Sequence, residues 1–268
     1  MARRKGNYFS GILGPVVLRI RNGEQVASTK IKKGSMKKTT GMKKASTNFG
    51  LASKLSGKIK LSFGKNTKGL TDSDHFGRLT GNLVAMLKAS QDPDTRLFNF
   101  EAQSFDTLIG YNFNIHSPLN KWLLAGPQIN FAEGQIQVRW PAMKLPAALR
   151  FPAEATHCKL TMAFSYFRLL DGYRLYAPLS NELIFTAEQD VFDPGVSSFA
   201  VPEGCLCLLG LFLTYFSGTA TYQRELNTEK FSPAGIAATM VMPGEFIDNN
   251  EFDWVQIIGL EFPSAVSK

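Results

Sequence analysis

Cys158-Lys-Leu-Thr-Met-Ala-Phe-Ser-Tyr166 puts Cys158, Leu160, Met162, Phe164 and Tyr166 on one side of the chain and Lys159, Thr161, Ala163 and Ser165 on the other. A period of two marks a half-buried β-strand, because successive side chains of extended backbone point to opposite faces. Gln135-Ile-Gln-Val-Arg-Trp140 repeats the pattern. Further candidate strands are 97–101, 107–115, 173–177, 181–186, 205–216, 236–242 and 254–260, separated by clusters such as Asp193-Pro194-Gly195. Strands at that spacing predict a mainly β protein. Its body, residues 96–268, is expected to be an immunoglobulin-like β-sandwich, built as one sandwich or as two small ones.

Composition agrees with that expectation. The chain has 268 residues, 44% of them hydrophobic and 12% aromatic, with 21 Phe against three Trp and seven Tyr. This is ample for a packed core, and aromatic side chains suit a pleated, half-buried surface.

N-terminal to the body the pattern changes. Pro15-Val-Val-Leu-Arg-Ile-Arg21, then Asn22-Gly23, then Glu24-Gln-Val-Ala-Ser-Thr-Lys30 reads as a β-hairpin, since Asn-Gly supplies the two positive-φ residues of a type I′ turn. Residues 31–41 are a connector rich in Lys, Gly, Ser and Thr. Met42, Ala45, Phe49, Ala52, Leu55 and Ile59 then recur at helical spacing, which predicts an amphipathic helix. A second helix is expected from about Ser73 to Ser90, with Phe76, Leu79, Leu83 and Met86 on one face. The expected organisation is therefore a basic arm over 1–70, a helical connector over 71–95, and the β body.

Charge divides the chain in the same place. Residues 1–70 hold 17 Lys/Arg and one acid, Glu24, whereas residues 71–268 hold 13 Lys/Arg and 21 Asp/Glu, so a segment of +16 precedes one of −8. Such a split favours a polyanion partner for the arm or an acidic face on another copy. Arg3, Arg4, Lys5, Lys32, Lys33, Lys37, Lys38, Lys43 and Lys44 are the candidate polyanion contacts. A solvated surface accounts for lysine runs as well, and aromatics that could stack on bases are sparse in the arm.

Catalytic chemistry finds little foothold in the sequence. Gly57-Lys58 and Gly64-Lys65 lack the earlier Gly and the following Ser/Thr of a phosphate-binding loop. His75, His116 and His157 are scattered, and no Ser or Cys stands in a nucleophile frame. Cys158, Cys205 and Cys207 lie in apolar sequence and are expected to be reduced core residues rather than metal ligands. The longest apolar stretch, around Cys205 to Phe212, is too short for a membrane helix, and no signal peptide is recognised after Arg3-Arg4-Lys5. The expectation is a protein without cofactor or metal, in the cytoplasm or in a particle assembled there.

Gly11-Ile-Leu-Gly14, a short strand, Arg21-Asn-Gly23, a second strand, a Lys-rich connector and a helix with Phe49 and Leu55 form an opening that resembles an uncharacterised family of Bacteroidota proteins of unknown function. The resemblance covers about the first 65 residues. It implies a basic N-terminal hairpin and helix ahead of an immunoglobulin-like β region, and no activity, cofactor or site. The functional expectation is a non-enzymatic structural protein that self-associates through its hairpin and helix, with Met42, Phe49 and Leu55 as interface residues, phage-like particles included. The alternative is a nucleic-acid-associated or capsid-like protein whose basic arm meets the polyanion.

Overall fold

The computed structural model describes residues 2–21, 23–30, 32, 39–132, 134–219, 222–248 and 250–264. It is mainly β, with about 40% of residues in strands and 20% in helices, and every strand pairing among the described residues is antiparallel. The chain forms two compact units, Met1–Ser46 and Thr47–Lys268.

The first unit contains a four-stranded sheet in sequential order, β1 (Arg3–Lys5), β2 (Tyr8–Leu13), β3 (Val16–Arg21) and β4 (Glu24–Thr29). The hairpin expected between β3 and β4 is present, in register from Val16 opposite Thr29 to Arg21 opposite Glu24. Gly23 has φ +82°, as the tight turn requires, and Asn22 lies outside the described residues. Strands β1 and β2 extend this hairpin into a meander.

Helix α1 (Thr40–Ser62) begins in the first unit and continues into the second. Only the later half of its apolar stripe is buried: Ala52, Leu55, Ile59 and, just beyond the helix, Phe63 are fully enclosed in the core. The boundary between the two units falls inside α1. Leu79, Leu83, Met86 and Leu87 of α3 (His75–Ala89) share that core, after the single turn α2 (Gly64–Thr67).

The body then contributes β5 (Gln128–Ala132), β6 (Gln135–Trp140), β7 (Met143–Lys144), α4 (Leu145–Ala148), β8 (His157–Arg168), β9 (Tyr173–Leu175), β10 (Leu179–Thr186), β11 (Val191–Phe192), β12 (Gly195–Ala200), β13 (Leu206–Thr219), β14 (Tyr222–Glu225), β15 (Ala234–Val241) and β16 (Trp254–Gln256). Strands β8 and β13 lie side by side at the centre of a seven-stranded sheet, paired from Leu206 opposite Phe167 to Phe216 opposite His157. Alternation in these strands separates two apolar layers rather than core from solvent. Ala163, Phe167, Leu206, Leu208 and Phe212 pack with α1 and α3, while Leu160, Met162, Phe164, Tyr166, Leu209, Leu211 and Leu213 pack with Ile136, Val138 and Trp140 of the second sheet.

That second sheet has the order β12-β6-β5. It meets the central sheet through the rings of Phe164 and Phe199, with centroids 4.2 Å apart, and through the Tyr166 hydroxyl, which donates to Ala200 O at 2.8 Å. On the opposite, helix-facing side, Gly210 sits across from Ala163, and a Cβ on Gly210 would come within 2.6 Å of the Phe212 ring and 3.3 Å of Phe63. The small pair makes the hollow that the Phe63, Phe113 and Phe212 cluster fills.

Two expected strands, 97–101 and 107–115, are irregular instead. Their alternating apolar residues are buried because the chain lies against the helix-side core, with Phe98, Phe105, Leu108, Tyr111 and Phe113 packed into it. Backbone groups are satisfied by turns and by single links to β15, such as Gly110 N–H to Ile236 O at 2.8 Å and Phe113 N–H to Ala234 O at 3.0 Å.

Candidate functional site

The N-terminal sheet is the part of the chain whose side chains are not used in a core. No described residue of the first unit belongs to the buried hydrophobic set. Cross-strand partners share a face, so the registers of β2, β3 and β4 assign the sides directly. Leu13, Val16, Leu18, Ile20 and Ala27 lie on one face with Gln25 and Thr29. Ile12, Val17, Val26, Arg19, Arg21, Glu24 and Ser28 lie on the other. One face is thus apolar and the other mixed and basic. Leu13 is 63% exposed, and every residue of β4 is exposed.

The two edges of this sheet differ in chemistry. Its β1 edge is Arg3-Arg4-Lys5, three exposed cations. Its β4 edge reads Glu-Gln-Val-Ala-Ser-Thr, without Lys, Arg or Pro. Highly charged or Pro-bearing edges resist pairing with another chain, and one with a single charge resists it far less.

Among the sequence-predicted interface residues, Met42 is 44% exposed and Phe49 57% exposed on α1, whereas Leu55 is fully buried. Leu55 holds the helix to the body and is not a surface residue. Of the predicted polyanion contacts, Arg3, Arg4 and Lys5 form β1, Lys32 and Lys43 are exposed, and Lys44 lies within α1. Lys33, Lys37 and Lys38 lie outside the described residues. Sequence reading missed Arg19 and Arg21, which the alternation of β3 places together on the mixed face.

In the body, polar clusters are tied up in internal bonds. Asp72 is paired with Arg78 and accepts from the Ile115 N–H at 3.2 Å and the Asp74 N–H at 3.0 Å. Burial alone would raise its carboxyl, but Arg78 and the two amides outweigh that and lower it. Arg78 also donates to Asn112 O at 3.1 Å and lies over the Tyr111 ring. These bonds fasten the start of α3 to the irregular segment 110–115.

A second cluster surrounds Arg168. Its guanidinium is paired with Asp171 and stands 3.8 Å from the Phe246 ring centroid, 4.4 Å from Tyr173 and 5.4 Å from Trp254. It borders a cleft of about 390 Å³ lined by Phe98, Phe100, Leu169, Met242 and Glu245 among others. With its charge matched by Asp171 and its faces covered by rings, Arg168 clamps the segment around 244–256 onto β8 and β9.

The three cysteines are free and buried. Burial pushes the Cys158 and Cys205 thiols up to about 12, and Cys207 higher still, far from the thiolate form that nucleophilic or metal chemistry requires. Among the described residues no group of three or more His, Cys, Asp or Glu is placed to hold a metal ion. No described helix is long and apolar enough to cross a membrane. Comparisons with family models, with curated proteins and with solved structures find no match to this chain.

Proposed function

We propose that this chain is a non-enzymatic assembly protein whose N-terminal sheet binds another protein subunit, with the body as the rigid unit being assembled. One observation carries the reading: a four-stranded sheet with an apolar face contributes nothing to a buried core of its own. Small sheets need a packed hydrophobic face to be stable in water. A partner surface supplies what the first unit lacks. On this reading the body is a β-sandwich, an expectation supported by the packing of β12-β6-β5 on the central sheet, and the assembled structure or particle forms in the cytoplasm without turning over a substrate.

Association should bury the face of Leu13, Val16, Leu18 and Ile20. The test is the molar mass of the full chain in solution, compared with that of Leu18→Asp. Persistence of the assembled mass in Leu18→Asp would refute the role given to this face.

A second reading is favoured by charge. Residues 1–46 carry 12 Lys/Arg and one acid, Glu24. A polyanion bound to the mixed face and β1 would meet Arg19 and Arg21 beside Arg3, Arg4 and Lys5. Its affinity would fall steeply with salt, in proportion to the phosphates neutralised, whereas apolar association survives moderate salt.

A further inference from the structure

We infer that two copies of this chain join edge to edge through β4, antiparallel about a two-fold axis at Ala27, so that two four-stranded sheets become one sheet of eight strands. This deepens the assembly reading above and rests on it, naming the partner as a second copy and the contact as a backbone edge.

Of the two edges of the sheet, β4 is the one suited to self-pairing. Bringing two β1 edges together would oppose Arg3, Arg4 and Lys5 with the same three cations, a like-charge juxtaposition that disfavours pairing. Among the described residues β4 pairs only with β3, and it presents one charge over six residues. A two-fold contact uses the same surface on both copies, and only the β4 edge is compatible with its own image.

The β3–β4 ladder sets the register of such a contact. The Lys30 N–H donates to Pro15 O at 2.6 Å, which continues the β3–β4 ladder by one residue. Hydrogen-bonded and non-hydrogen-bonded pairs alternate along an antiparallel ladder. The backbone groups of Glu24, Val26, Ser28 and Lys30 are therefore turned towards β3, and those of Gln25, Ala27 and Thr29 towards the open edge. A second β4 can form its ladder only where outward residues meet outward residues. Placing Ala27 opposite Ala27 satisfies this, with Gln25 opposite Thr29 on both sides of the axis. The same register sets Val26 opposite Ser28 and Glu24 opposite Lys30.

Charge complementarity selects this register from its neighbours. Shifting the axis by half a residue, so that Val26 faces Ala27 of the other copy, brings inward groups against outward ones and breaks the ladder. Moving it so that Val26 or Ser28 faces itself preserves the alternation but separates Glu24 from Lys30. With the axis at Ala27, the carboxylate of Glu24 meets the ammonium of Lys30 twice, once at each end of the contact. Gln25, Ala27 and Thr29 also continue the apolar-bearing face across the junction, which makes one surface from two.

The test uses full-length chains. Val26→Cys protein is mixed with Ser28→Cys protein under mild oxidation, and covalent dimers are identified by intact mass. Both positions are exposed, and the native thiols are all buried. In the proposed register Val26 and Ser28 of opposite copies form a non-hydrogen-bonded pair about 4.5 Å apart at Cα, within disulfide reach. Two Gln25 residues would be separated by about 13 Å, four residues along the strand. The expected result is a mixed dimer from Val26→Cys with Ser28→Cys, several-fold in excess of any Gln25→Cys homodimer. A charge exchange gives an independent readout: Glu24→Lys and Lys30→Glu should each weaken association at least several-fold, and the double variant should recover it. If the chain associates but neither the mixed link nor the recovery is seen, the β4 contact is wrong while assembly through another surface stands. If the unmodified chain is monomeric at every concentration, both fall.

Discussion

The Nδ1 of His75 lies 2.8 Å from the hydroxyl oxygen of Tyr111, and that hydroxyl gives its own hydrogen to the His75 carbonyl oxygen, also at 2.8 Å. Tyr111 has one hydrogen to donate, so its oxygen must accept from Nδ1–H. The neutral tautomer is thereby fixed, and Nε2 is left without a partner inside the core. Protonating Nε2 would place a charged N–H where nothing receives it. Burial, against the pull of Asp72 and with help from Arg78 and Lys60, brings the imidazole down to about 4.

The sign of the pH dependence follows. An unfolded histidine titrates near 6.5, so between about pH 6.5 and 4 the unfolded chain binds a proton that the native chain does not. Stability should fall as pH drops through that window, by on the order of 2–3 kcal/mol from this group, and then level off for it. Asp72, depressed in the fold, adds its own loss only at lower pH. Urea unfolding at steps from pH 7 to 4.5 measures the slope. His75→Asn, less stable throughout, should lose most of it; an unchanged slope would remove His75 as the cause.

Phe49 and Leu55 stand on the same helical stripe but in different surroundings. Leu55→Ala should cost about 2–5 kcal/mol, the usual range for a buried leucine, and should lower the melting temperature accordingly. Phe49→Ala, at a 57% exposed site, should shift stability by less than about 1 kcal/mol. Thermal unfolding of both variants checks the contrast.

Gly172 joins β8 to β9 with φ +75°, and a Cβ there would stand 2.2 Å from the Leu260 carbonyl oxygen. Neither the conformation nor the space admits a side chain. Gly172→Ala should destabilise the body by about 2 kcal/mol or more, whereas Gly195→Ala, in open space without a positive φ, should be far milder. Denaturant midpoints of the two variants provide the comparison.

The thiols of Cys158, Cys205 and Cys207 should resist modification in the native protein, since they are buried and shifted away from the thiolate. Titration with an aromatic disulfide reagent should show no rapid native reaction and three equivalents after unfolding. Prompt reaction of any thiol in the folded protein would contradict the placement of these residues in the core.

Strands with one apolar face were legible before any coordinates: Gln135–Trp140 is β6 with its predicted bounds, and the hairpin signalled by Asn22-Gly23 forms with the expected register. Segments 97–101 and 107–115 misled because alternation records burial on one side, which Phe98, Phe105, Leu108 and Phe113 achieve on irregular backbone. Strands β1, β5 and β12 were missed because short edge segments carry little periodicity. At the candidate site, the stripe from Met42 to Ile59 showed that α1 is amphipathic but not where the body covers it. Only the packing of Ala52, Leu55 and Ile59 separates the buried half from exposed Phe49. The apolar side of the N-terminal sheet was hidden for a related reason: assigning Leu13, Val16 and Leu18 to one face needs the β2–β3 register.

The central claim, self-association through the N-terminal sheet, is tested most directly by light scattering on the eluting full-length chain over a hundredfold concentration range at low and moderate salt. The protomer is 29.6 kDa. The account predicts a mass of at least twice that value, retained at moderate salt because the contact is a backbone edge beside an apolar face. A mass of one protomer at every concentration and salt would contradict it.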